Sequence, residues 1–201
     1  MTKIYILREK TGEFLNFAIT MADTQYLDKF ETILTDGLQK ILKGCGVMKE
    51  GMLPDSEDIL SIWQDSYLES YVGDAVENFN QYPEAALAWA AYLGMGVANN
   101  WDKDWAAHSK DAYTSYYGPR GWDDMDEYIT GVMLHLKEDW IQKLCDAFYS
   151  CAESTLALIR HEGIEPQTPE GFYILVRSYC VFYKLGAAVE LQRLGYSKVK
   201  L

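Results

Sequence analysis

Apolar residues recur along the chain at intervals of three and four, the spacing of helices that bury one face. After Asp23 one such stripe runs through Leu27, Phe30, Leu34, Leu38 and Ile41 and stops at Gly44 and Gly46. Beyond Gly51 and Pro54, Asp55 or Ser56 stands where a second helix needs a cap, and Ile59, Trp63, Tyr67, Tyr71, Ala75 and Phe79 follow. Pro83 suits the first residue of a third helix. From Ala85 to Ala98 that helix is apolar all round, which predicts the most buried element of the fold. Ala86, Ala90, Gly94 and Ala98 lie four apart, a ridge of small side chains that lets another helix come close. Gly94 and Gly96 each cost about 1 kcal/mol against Ala in a helix interior, a loss that close packing has to recover.

A shorter segment from Trp105 to Tyr117 closes on Gly118-Pro119-Arg120-Gly121. Asp123 or Asp124 then opens a run through Ile129, Val132, Leu136, Trp140, Leu144, Phe148, Cys151, Thr155 and Leu158. Unbroken to His161 it would be about 57 Å long, against a diameter of about 42 Å for a compact chain of this size. A bend is therefore expected, at Gly131 or near Ser150-Cys151. Gly163 ends the run. Thr168-Pro169-Glu170 opens a last helix as N-cap, N1 and N2, with Phe172, Val176, Tyr179, Tyr183 and Leu191 inward and Gly195 as its stop. Residues 3–20 read as a short β-hairpin around Thr11-Gly12, with a backward extension of the first helix as the alternative. The expected fold is all-α: a single domain over 1–201, a bundle of five or six helices around a central apolar helix at about 83–101.

Composition narrows the function. Of 201 residues, 49% are hydrophobic and 24% charged, which is globular rather than disordered. Lys and Arg number 18 against 30 Asp and Glu, a net charge of −12 that argues against nucleic acid or an anionic membrane as partner. The charge is concentrated. Between Glu50 and Asp102 there is no Lys or Arg, and the acids there account for ten of the twelve excess negative charges. Such a face either steers a basic partner, or is merely solvated, or is balanced from elsewhere by Lys137, Lys143 or Arg177. The apolar run Ile4–Leu7 stops at Arg8, too short for a secretory core, and the longest charge-free stretch, 85–101, falls short of a membrane span. Cys45, Cys145, Cys151 and Cys180 form no CxxC pair and read as reduced thiols. A cytoplasmic location is expected.

Candidate chemistry gathers between Asn99 and Glu127. Asn100, Asp102, Asp104, His108 and Asp111 fall on positions of a calcium loop, but Trp105 stands where the turn needs Gly. On one helix Asp104, His108 and Asp111 would share a face. Asp123-Asp124-Met125-Asp126-Glu127 is similar to the Asp-rich motif of isoprenoid enzymes, although acids in a helix's first turn account for it more simply. His108, His135 and His161 lie in no nucleophile or phosphate-loop signature, so no catalytic residue is nominated. Arg120, the only basic residue between Lys110 and Lys137, is either an ion pair pinning its turn or a fork for a carboxylate or phosphate.

The segments Ala90-Ala91-Tyr92-Leu93-Gly94-Met95-Gly96-Val97-Ala98, Trp101-Asp102-Lys103-Asp104-Trp105 and Gly121-Trp122-Asp123-Asp124-Met125-Asp126-Glu127-Tyr128 resemble uncharacterised all-helical bacterial proteins. That resemblance implies a helical fold and no activity. The reading that follows is a non-enzymatic acidic binding protein without cofactor or metal, an immunity- or antitoxin-like inhibitor being one version. Its partner is a basic protein or a small cationic or aromatic ligand. The expected binding residues are Trp101, Asp102, Asp104, Trp105, His108, Asp111, Arg120, Trp122, Asp123, Asp124 and Asp126. The alternative is a metal-dependent hydrolase using the Asp/His cluster of 102–127.

Overall fold

Two glycines decide how the centre of the molecule is built. The computed structural model describes residues 24–50, 53–79, 81–165 and 168–197. Its elements are α1 (Thr24–Gly44), α2 (Glu57–Ile62), a π-helical turn (Trp63–Tyr67) and α3 (Leu68–Phe79), then α4 (Pro83–His108). Two 3-10 turns (Tyr113–Tyr116 and Trp122–Asp124) lead to α5 (Met125–Glu127) and a second π turn (Tyr128–Met133). The long helices α6 (Glu138–His161) and α7 (Pro169–Leu194) complete an all-α fold with no strand among the described residues. The hairpin expected at residues 3–20 lies outside them.

Helix α4 is buried without a break from Ala90 to Asn100, as its all-round apolar sequence requires. It shares the centre with α7, whose middle is buried on nearly every side; there, a single inward stripe was expected. The two backbones touch. A β-carbon on Gly94 would lie 2.1 Å from the Tyr183 carbonyl oxygen, and one on Gly186 only 1.9 Å from that of Ala91. Around this crossing α1 buries Leu27, Phe30, Leu34, Leu38 and Leu42 against α6 and α7. Among the described residues α7 alone is long and apolar enough to cross a membrane, but 72% of that window is buried within the protein.

Helix ends follow the sequence signals. Thr168 Oγ1 accepts from the Gly171 amide at 3.0 Å, Pro169 is the first helical residue, and Gly195 stops α7 at φ 104°. Ser56 stands at the N-cap of α2, but its hydroxyl makes no capping bond.

The π turn at Trp63–Tyr67 has a cause in the spacing. Ile59, Trp63, Tyr67, Tyr71 and Ala75 are all buried and all four apart. At 3.6 residues per turn this series drifts by about 160° around a regular helix. One wide turn winds much of the drift back and keeps all five on the core side.

The long run from Asp124 is broken just beyond one expected bend, Gly131, and is continuous through the other, Ser150-Cys151. The π turn ends at Met133, His135 takes a left-handed conformation at φ 50°, and α6 starts afresh at Glu138 with Glu138 and Asp139 in its first turn. Leu134 and Leu136 close the break through amides donated to the carbonyls of Ile129 and Thr130. Gly131 lies within the π turn that leads into the break, a few residues before it, whereas nothing local marks the left-handed residue, His135. Val132, expected inside, is 57% exposed.

The crossing makes a direct prediction. Gly94→Ala or Gly186→Ala forces apart two backbones and is expected to lower stability by about 2–3 kcal/mol. Gly37→Ala, with open space at its β-carbon, is expected to raise it by up to about 1 kcal/mol. Thermal melts followed by circular dichroism separate the two classes; a Gly94→Ala protein melting no lower than the parent contradicts the contact.

Candidate functional site

The residues expected to form one working surface are divided among several local structures. Trp101 donates its indole N–H to Asp58 at 3.2 Å and meets Tyr196 edge-on, while Asp102 accepts from the Tyr196 hydroxyl at 2.8 Å. Asp104 adopts an extended backbone inside α4 and accepts from the Ala107 amide at 3.1 Å. It thereby caps a final turn of its own, so Asp104, His108 and Asp111 do not lie on one straight helix. Trp105 is half-buried against the core. His108 and Asp111 pair at 2.7 Å.

Arg120 makes the ion pair. Its guanidinium donates twice to Asp124 Oδ1 and once to Glu127 Oε2, and its backbone amide reaches Asp124 Oδ2. The turn wraps the Asp124 carboxylate so closely that a β-carbon on Gly118 would sit 2.4 Å from it. Asp124 therefore closes a loop instead of capping a helix, and is buried; Asp123 is exposed. The Arg120 hydrogen bonds hold the Asp124 carboxyl below its ordinary range. Trp122 is a core residue, edge-on to Trp89 and donating its N–H to the Tyr113 hydroxyl at 2.7 Å. Asp126 is half-buried, and burial pushes its carboxyl up. Among the described residues no group of three or more His, Cys, Asp or Glu is placed to hold a metal ion.

One concave feature joins the acidic stretch to part of the expected site. An open groove of about 700 Å³ runs between α3 and the segment 109–117. Ser66, Glu69, Ser70, Gly73, Asp74 and Glu77 form the helical side; Lys110, Asp111, Tyr113 and Tyr117 form the other. Phenols fix the two sides together. Tyr67 donates to the Asp111 carbonyl at 2.9 Å, and Tyr117 donates to the Asp74 carboxylate. Tyr113 packs edge-on against both Tyr117 and Tyr71, which ties the loop to the core. Burial, with nearby phenols or carboxylates adding to it, pushes the Tyr67, Tyr113 and Tyr117 hydroxyls up. They remain neutral donors, and the charge of the groove is that of its acids.

Four carboxylates thus line the groove, from Glu69, Asp74, Glu77 and Asp111, against one cation, Lys110. Two of the three balancing cations expected from the sequence, Arg177 and Lys143, are engaged elsewhere. Arg177 pairs with Asp28 and Glu31 on α1, and Lys143 donates to the Gly46 carbonyl and lies over Trp140. Of the predicted binding residues only Asp111 lines the groove, with His108 bracing it. The acids on α3 were legible as a run without Lys or Arg. Tyr113 and Tyr117 were not, because nothing local shows which loop tyrosines fold back onto a distant helix.

No protein-family model matches the chain, and comparison with curated proteins and with solved structures gave no match. The groove and its charge therefore carry the functional argument.

The pinned turn carries a pH prediction. Because the folded state holds Asp124 below its ordinary range, this stabilisation is present above that range and is lost as pH falls through the lowered value. Arg120→Ala is expected to lower the melting temperature at neutral pH. The gap to the parent should close on acidification below about pH 4, the ordinary Asp range. A gap constant from neutral to strongly acidic pH rejects the assignment.

Proposed function

We propose that this protein is a non-enzymatic acidic binding protein that takes a basic partner in the groove between α3 and 109–117. The observation that carries the reading is the charge of that groove, four carboxylates and one lysine on walls fixed by buried phenols. Asp65 extends the negative face along the same rod, and neither it nor Glu69 has a salt bridge among the described residues. An opposite charge on a partner relieves the repulsion between these neighbouring carboxylates.

Long-range attraction of this kind speeds encounter and excludes acidic competitors. It suits an inhibitor of a basic protein, of which an immunity- or antitoxin-like role is one form. Small cationic groups fit the same chemistry, with Tyr117 offering a ring face beside the carboxylates. A metal-dependent hydrolase built on residues 102–127 has less support, because those side chains serve separate local structures. Free thiols at Cys45, Cys145, Cys151 and Cys180 suit a reducing, cytoplasmic setting.

Binding to poly-L-lysine tests the reading. Affinity is expected to fall steeply with added salt, since screening shortens from about 10 Å at 0.1 M to about 3 Å at 1 M. Glu69→Gln/Glu77→Gln is expected to weaken binding by roughly fivefold, about 1 kcal/mol for two surface charges. Affinity indifferent to both salt and these substitutions overturns the proposal.

A further inference from the structure

Gly73 sits inside α3 and has no packing reason to be there. Glycine is the poorest helix former after proline. At Gly94 and Gly186 backbone contact explains the residue; at Gly73 nothing lies within 4 Å of where a β-carbon would be. Gly37 in α1 is equally open but lies outside the groove. Gly73 is on the groove floor. Ser66, Ser70, Gly73 and Glu77 follow one another at helical spacing along it, so the floor is small-sided and shallow for most of its length. By the same geometry Glu69 and Asp74 flank that strip on opposite sides, and Tyr113, Tyr117 and Asp111 stand across from it. From Ser66 to Glu77 the floor extends about 16 Å, or three helical turns.

Resting on the reading of the groove as a basic-partner site, we infer that its occupant is an α-helix of a partner protein, bearing Lys or Arg along both borders of the face it presents. Shape and charge both fit such an occupant. A floor whose middle is two serines and a glycine lets a backbone come nearer than larger side chains would, toward the near end of the usual 8–10 Å between helix axes. Acids on both sides of the strip meet cations projecting from both sides of such a helix. A small polyamine needs the acids but has no use for a small-sided floor. The groove is open to solvent instead of enclosed, and its helical wall is about 16 Å long, which favours a rod over a compact ligand.

The test compares three probes on the full chain. The first is an alanine–lysine peptide about 20 residues long, enough to be helical in isolation. The second is the same composition with proline placed centrally to prevent the helix. The third is spermine. Gly73→Leu fills the floor with a good helix former at an open, exposed position, so the fold is retained, as an unchanged or raised melting temperature checks. It is expected to weaken the helical peptide by about tenfold or more while leaving spermine unchanged. Glu69→Gln/Glu77→Gln is expected to weaken both probes. A Gly73→Leu protein that binds the helical peptide as tightly as the parent, or a proline peptide bound as tightly as the helical one, overturns the helical occupant and leaves the charge reading standing. Loss of neither probe on neutralising Glu69 and Glu77 overturns the two together.

Discussion

The contact between the backbones of α4 and α7 is the constraint from which the architecture follows. With Gly94 against the Tyr183 carbonyl and Gly186 against that of Ala91, neither helix can shift or rotate without collision. Two mid-helix glycines are unfavourable by about 2 kcal/mol in backbone propensity. Dispersion and burial along two long apolar helices, fully buried at Leu87, Leu93, Val97, Tyr183 and Leu191, offset that several times over. Because both central rods are buried nearly all round, every other helix has an apolar face to cover, and α1, α6 and the α2–α3 rod take those places.

At one end of the crossing, buried polar side chains are tied to their neighbours. Glu190 is fully buried at the far end of the crossing, held by the Arg193 fork at 2.7 Å and by the Asn99 amide at 3.3 Å. A carboxylate there without its arginine would be a buried, unpaired charge, and breaking such a pair typically costs about 3–5 kcal/mol. Next to it Asn100 donates to the Tyr116 hydroxyl at 3.2 Å, the point where the 109–117 segment joins α4. Two adjacent asparagines thus fix the register of α7 on one side and the position of the groove wall on the other.

Aromatic rings carry that order outward to the groove. Trp63 stacks on Tyr183 at 4.4 Å and donates to the Cys180 sulfur; Tyr71 meets Trp63, Tyr113, Trp122 and Tyr179. The π turn at Trp63–Tyr67 is what lets Trp63 and Tyr67 both face inward from one rod. Consequently the acids of α3 are presented on a rigid element, opposite a loop anchored by three phenols. A charged surface held this firmly is preorganised, which reduces the ordering a partner has to impose.

Much of this was legible along the chain. Helical spacing, the Thr168-Pro169 start, the Gly195 stop and the small-residue ridge of 86–98 are local properties, fixed by the 3.6-residue repeat and by the steric range of Gly and Pro, and they appear in the structure. The acidic run of 50–102 needs no fold to be counted. What the tryptophans and tyrosines do was beyond that reach. Trp122 is inside and Tyr117 lines the groove because of where Tyr71 and Asp74 lie, 51 and 43 residues earlier, and no periodicity records so distant a partner. The break at His135 likewise depends on closing a π turn over a core already formed. Local sterics and charge set the elements and the sign of the surface. Packing between distant segments decided which polar residues close loops, which sink into the core, and which line a groove.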